Sequence, residues 1–109
     1  MPIPGKKYKF HEKNISKSPN VHGVYALFDG DVLIYYGRAM GPSQTIRSQL
    51  EKHKNGSQVP GTQLATHYAR EKTPQASKRE MELLSEYKLE NKALPRCNAE
   101  SVDVVTDVS

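Results

Sequence analysis

The stretch GVYALFDGDVLIYYGRA, residues 23–39, gathers three of the chain's six tyrosines, Tyr25, Tyr35 and Tyr36, around Gly37 and Arg38. A phenol has an ordinary pKa near ~10, and a nearby cation or metal-bound water helps it give up that proton and act as a base. A strand glycine lets a substrate approach the backbone, and Arg38 follows it directly. Two further groups have suitable spacing. His53 falls on the stripe set by Ile46 and Leu50, at i, i+4 and i+7 of a helix. Glu86 lies about 60° from Leu83 at ~3.6 residues per turn, on the rim of a buried face, where a carboxylate can point into a cleft. Each also has an ordinary use: strand tyrosines, a helix-face histidine, an exposed glutamate paired with the lysines around Glu90.

Charge points toward a polyanion. The formal net charge is +4, and residues 1–20 carry Lys6, Lys7, Lys9, Lys13 and Lys17 against Glu12. Residues 99–109 carry Glu100, Asp103 and Asp107 with no base. A basic arm on a basic domain suits nucleic acid, and a solvated lysine-rich terminus has the same composition. At 109 residues, 36% of them hydrophobic, the core is small and the chain forms one domain. The single Cys97 excludes an intramolecular disulfide and fits a reducing compartment. No apolar run approaches the ~20 residues of a membrane span, so the expectation is a cytoplasmic protein with no membrane partner.

The elements that must hold these residues follow from pattern. VHGVYALF and DVLIYYG are β-branched and aromatic runs joined by Asp29-Gly30, which predicts a hairpin with a tight turn. If that turn pairs Phe28 with Asp31, Tyr25 meets position 34 and Tyr35 sits diagonally, unless a bulge adjusts the register. A helix is predicted over QTIRSQLEKHK, capped by Ser43 and ended at Asn55-Gly56. TQLATHYARE supplies a third strand, with His67 as strand filler. Thr73-Pro74 then starts the longest helix, QASKREMELLSEYKLENK, which Pro95 closes. Arg79 is expected in a structural salt bridge. The predicted fold is α+β: a small antiparallel three-stranded sheet flanked by helices. It has an extended or loosely attached basic arm over 1–20, a domain over 21–98 and an acidic tail over 99–109.

Gly23-Val24-Tyr25 and, nine residues later, Tyr35-Tyr36-Gly37 resemble the paired tripeptides that name the GIY-YIG nuclease family. Glu86, Pro95 and Asn98 in LLSEYKLENKALPRCN are similar to that family's glutamate and its Pro-x-x-Asn ending, with Glu86 and Asn98 twelve residues apart. The resemblance spans residues 22–98. It implies a GIY-YIG-like fold and a metal-dependent endonuclease, a hydrolase of DNA phosphodiester bonds using Mg²⁺ or Mn²⁺. It implies Tyr25 as general base, Tyr35 as a phosphate or water ligand and Glu86 as the metal ligand. Arg38, Arg47 and His53 would complete the catalytic group, with Gly37, Gln49 and Asn98 at the substrate. Phosphodiester hydrolysis needs an activated water, charge relief at phosphorus and help for the departing oxygen, and a metal on a carboxylate supplies the last two.

The first helix departs from the family pattern, in which an arginine precedes the His53 position by four residues. Gln49 stands there, a donor without charge. Arg47 lies about 120° from His53 around the helix, so either it or Arg38 would stand in. The alternative is a GIY-YIG-like domain that binds nucleic acid and cuts weakly or not at all. A homodimer or a protein partner would supply sequence specificity.

Overall fold

A computed structural model describes residue 3 and residues 5–57 and 59–99. The acidic tail, apart from Ala99, lies outside the described residues. The architecture is α+β, an antiparallel sheet with helices on both faces, in the order β1 (Tyr8–Lys9), α1 (Glu12–Ile15), β2 (Gly23–Asp29), β3 (Val32–Ala39), α2 (Ile46–Lys54), β4 (His67–Lys72) and α3 (Ala76–Asn91). A 3₁₀ turn, Thr62–Leu64, precedes β4, and residues 96–99 form one helical turn. Among the described residues no helix is long and apolar enough to cross a membrane.

The sheet has four strands, ordered β1-β4-β2-β3, one more than the sequence pattern predicts. The fourth comes from the segment whose composition suggests a loose arm. Tyr8 pairs with Tyr68, and the Phe10 amide donates to the Thr66 carbonyl at 2.8 Å. Phe10 and Ile15 are 4% and 2% exposed and join the main core, while all five lysines of the segment are exposed. Their number masks the apolar positions between them.

The hairpin β2–β3 forms as expected, with a different register. Asp29 pairs with Val32, so Gly30 and Asp31 make the turn instead of Asp29 and Gly30. Gly30 has φ 63° and Asp31 no positive φ, the pattern of a turn that asks for glycine at its first central position. The register then shifts by one between Leu27 and Phe28, opposite Tyr35 and Leu33. Ile34 is the extra residue, and both it and Tyr35 pack on the α2 side. The bulge thereby brings Gly37, not position 34, opposite Tyr25.

Two apolar layers result. Tyr25, Leu27, Ile34, Tyr68, Ile46 and Leu50 fill the space under α2, with Phe10, Ile15 and Cys97. Val24, Ala26, Tyr36 and Ala69 meet Ala76 and Leu83 of α3 on the other face. Thr45 caps α2, not Ser43: its side chain accepts from the Ser48 amide, and Ser48 returns the bond in a capping box. The Thr73 hydroxyl accepts from the Gln75 amide just before α3, and the helix ends with Lys92 in a left-handed conformation, short of Pro95. Arg79 makes the expected ion pair, 2.9 Å from Glu71 and 3.6 Å from Glu82.

Candidate active site

Tyr25 is held at the centre of the sheet, between Gly37 on β3 and Arg70 on β4. Its ring lies across Gly37, where a Cβ would come within 2.5 Å of the Tyr25 hydroxyl and 2.7 Å of the Tyr35 ring. Glycine is therefore required by the close approach of two phenols. Gly37→Ala is expected to destabilise the fold by about 1–3 kcal/mol and to displace Tyr25 from its partner. A denaturation midpoint equal to that of the natural protein would contradict this.

That partner is His53. The Tyr25 hydroxyl and His53 Nε2 stand 2.7 Å apart, and His53 Nδ1 is 2.8 Å from the Thr62 hydroxyl. Tyr25, Tyr35 and His53 form a triangle of rings with centroids 5.0 to 6.2 Å apart. Tyr25 is 2% exposed and His53 1%. Burial disfavours charge on each: it lowers the His53 pKa to about 4 and raises that of Tyr35 to about 12. The Tyr25 phenol is held well above its usual value, by burial and then by Tyr35 and Glu80. The imidazole is thus neutral at ordinary pH, which leaves one ring nitrogen free to accept.

Glu80, six residues before Glu86, is the carboxylate whose charge reaches this group. It acts on both Tyr25 and Tyr35, and burial raises its own pKa while Arg38 opposes the rise. Arg38 Nη1 lies 3.7 Å from Glu80 and donates to the Ser77 hydroxyl at 2.8 Å. Glu86 is elsewhere: it lines a cleft with Ala26, Phe28, Tyr36, Leu83 and Tyr87, residues of the face opposite Tyr25. Glu80 is legible in the sequence, since Ala76, Glu80, Leu83 and Tyr87 fall at i, i+4, i+7 and i+11, a carboxylate inside an apolar stripe. Thr62 carries no such mark, because it opens a single 3₁₀ turn, too short to show a periodic pattern.

The remaining expected residues divide. Gln49 is buried on the same helix face as His53, and its amide donates to Gln44 at 3.1 Å. Arg47 faces the loop after α1, where its Nε donates to the Ser18 carbonyl at 2.9 Å. Asn98 grips the open edge of β3: Oδ1 accepts from the Tyr36 amide at 2.8 Å and Nδ2 donates to the Tyr36 carbonyl at 2.9 Å. It closes backbone groups that the sheet leaves unpaired, and so fixes the strand that carries Tyr35 and Gly37. His67 bonds the neighbouring Thr66 hydroxyl, in keeping with strand filler.

Among the described residues no group of three or more His, Cys, Asp and Glu side chains could hold a metal ion. Mg²⁺ requires less, because it keeps most of its waters and binds through one or two carboxylates beside a substrate phosphate. A single half-buried hard-oxygen donor beside Arg38 fits that demand, and Glu80 is such a donor. No described protein family, curated protein or solved structure matches the chain.

Proposed function

We propose that the chain is a small metal-dependent endonuclease of the GIY-YIG type, hydrolysing DNA phosphodiester bonds at the group Tyr25, Tyr35, His53, Glu80 and Arg38. The observation that carries this reading is the phenol of Tyr25 set 2.7 Å from a neutral imidazole nitrogen, which gives a weak acid an adjacent proton acceptor. Five exposed lysines on the N-terminal segment and a net charge of +4 support a polyanionic substrate.

Tyr25 works as a relay in this mechanism. As a water oxygen bonds to phosphorus, a water proton passes to the Tyr25 oxygen while the phenol proton passes to His53 Nε2. The phosphorus–oxygen bond to the 3′ side breaks, and the departing oxygen takes up a proton from solvent. Arg38 lies near enough to Glu80 and Tyr35 to meet a phosphate oxygen there. Tyr35, whose ring stands against both Tyr25 and His53, orients the water. Glu80 would hold Mg²⁺, which supplies charge relief at phosphorus and at the departing oxygen.

A second reading, a domain that binds nucleic acid without cutting it, draws on two observations. Gln49 stands where the resemblance expects a cation, and Tyr25 is almost fully covered. One experiment separates them: incubation of supercoiled plasmid with the protein and Mg²⁺ or Mn²⁺. Nicking that falls by about 10²–10⁴ in Tyr25→Phe is the expected result, in the range of a lost acid–base group. Salt-sensitive binding with no nicking by the natural protein selects the second reading.

A further inference from the structure

We infer that Thr62 is a positioning residue, whose hydroxyl fixes the tautomer of His53 so that Nε2 presents a lone pair to Tyr25. Hydrogen counting along the chain of contacts carries this. The Thr62 hydroxyl has one proton, and it is donated to the Val59 carbonyl at 2.7 Å. Toward His53 Nδ1, 2.8 Å away, Thr62 can therefore only accept. Nδ1 must carry the ring proton. A neutral imidazole has a single N–H, so Nε2 is bare and receives the Tyr25 O–H at 2.7 Å.

The result is a one-way chain, Tyr25 to His53 to Thr62 to the Val59 carbonyl, in which each hydroxyl or ring N–H donates once. It ends on a backbone carbonyl, which has no proton to give back, so the direction cannot reverse. Thr62 is wholly buried, so no bulk water competes for Nδ1. In the opposite tautomer Nε2–H would donate to the Tyr25 oxygen, and Nδ1 would face a hydroxyl whose proton is committed to Val59. The Tyr25 proton would then have no acceptor. The tautomer requirement stands on the geometry alone; its catalytic meaning rests on the nuclease reading above.

The test reads the two claims separately. Long-range ¹H–¹⁵N NMR of the natural protein, labelled at histidine, should show a protonated Nδ1 and a bare Nε2 on His53, opposite to the preference of free histidine. Thr62→Val, nearly isosteric but without an acceptor, should lose that pattern, and Thr62→Ser should keep it. Plasmid nicking should fall by about 10²–10³ in Thr62→Val and return to within a few-fold in Thr62→Ser, as for a misplaced general base. An Nε2–H tautomer in the natural protein overturns the inference, as does an unchanged Nδ1–H pattern in Thr62→Val. Should Thr62→Val not fold, the spectra of the natural protein and of Thr62→Ser still decide it. If the tautomers behave as stated and no variant or natural protein nicks plasmid, the nuclease reading fails and the role of Thr62 in setting the tautomer stands.

Discussion

Deletion of residues 1–18 is expected to abolish the cooperative fold, although the segment is short, lysine-rich and proline-punctuated. Phe10 and Ile15 are buried in the main core under α2, and burying such side chains contributes about 1.5–3 kcal/mol each. The deletion also strips the Tyr68 hydroxyl of its Ser18 partner, 2.8 Å away and fully buried, and removes the Ser18 carbonyl that holds Arg47. A buried polar group left without a partner costs about 1–3 kcal/mol. Small domains retain only about 5–15 kcal/mol in total, so these losses together consume most of it. Circular dichroism should show a weak, non-cooperative thermal transition in the truncated chain. A sharp melt within a few degrees of the natural protein would mean that the segment is a bystander to the core. Its charge is tested without touching the core by exchanging Lys6, Lys9, Lys13 and Lys17 for glutamine. The slope of log affinity against log salt should then flatten by about 0.9 for each phosphate that a lysine no longer neutralises.

The hairpin, both principal helices and a strand in the second half of TQLATHYARE are legible in the sequence, because Asp-Gly turn chemistry and the i, i+4, i+7 spacing of Ile46, Leu50 and His53 are local signals; its first half, Thr62–Leu64, is a 3₁₀ turn instead. What the sequence hides depends on long-range packing. Which dipeptide makes the turn is decided by the bulge at Ile34, which lets Ile34 face the core and still sends Tyr35 to the same side. Nothing in DVLIYYG announces an extra residue. The N-terminal segment misleads because five lysines dominate its composition while Tyr8, Phe10 and Ile15 supply its contacts. Asn98 draws notice for its side-chain chemistry, and the structure spends that chemistry on the two backbone groups of Tyr36. The phenol–imidazole pair, in contrast, is recoverable in parts: Tyr25, Tyr35 and His53 each stand out in the sequence, and folding brings all three rings together.

The two glutamates of α3 should separate cleanly in activity. Glu80→Gln is expected to lower plasmid cleavage by about 10²–10³, the usual loss when one electrostatic contact to the transition state is removed. Glu86→Gln should leave cleavage within a few-fold of the natural rate. Position separates the two. Residues 80 and 86 are six apart, about 120° around the helix, so Glu80 is carried beside Arg38 and Glu86 into the cleft lined by Ala26 and Tyr36. Glu80 is close enough to Tyr25 and Tyr35 to raise both phenol pKa values and stands 3.7 Å from Arg38. Glu86 shares a cleft with Ala26 and Tyr36, whose side chains leave the opposite face of the sheet. Glutamine preserves the shape of either side chain, so thermal melts of both variants should stay close to the natural protein and exclude unfolding as the cause. A second readout locates the ion independently of turnover. Mn²⁺ titrated into the labelled natural protein should broaden the amide resonances of Tyr35, Arg38 and Ser77 at low equivalents, and this broadening should vanish in Glu80→Gln. If Glu86→Gln alone abolishes cleavage and Mn²⁺ broadens Ala26, Leu83 and Tyr87 instead, the ion belongs to the cleft that Glu86 lines. Tyr25 would then lie on the wrong side of the sheet to serve as the base.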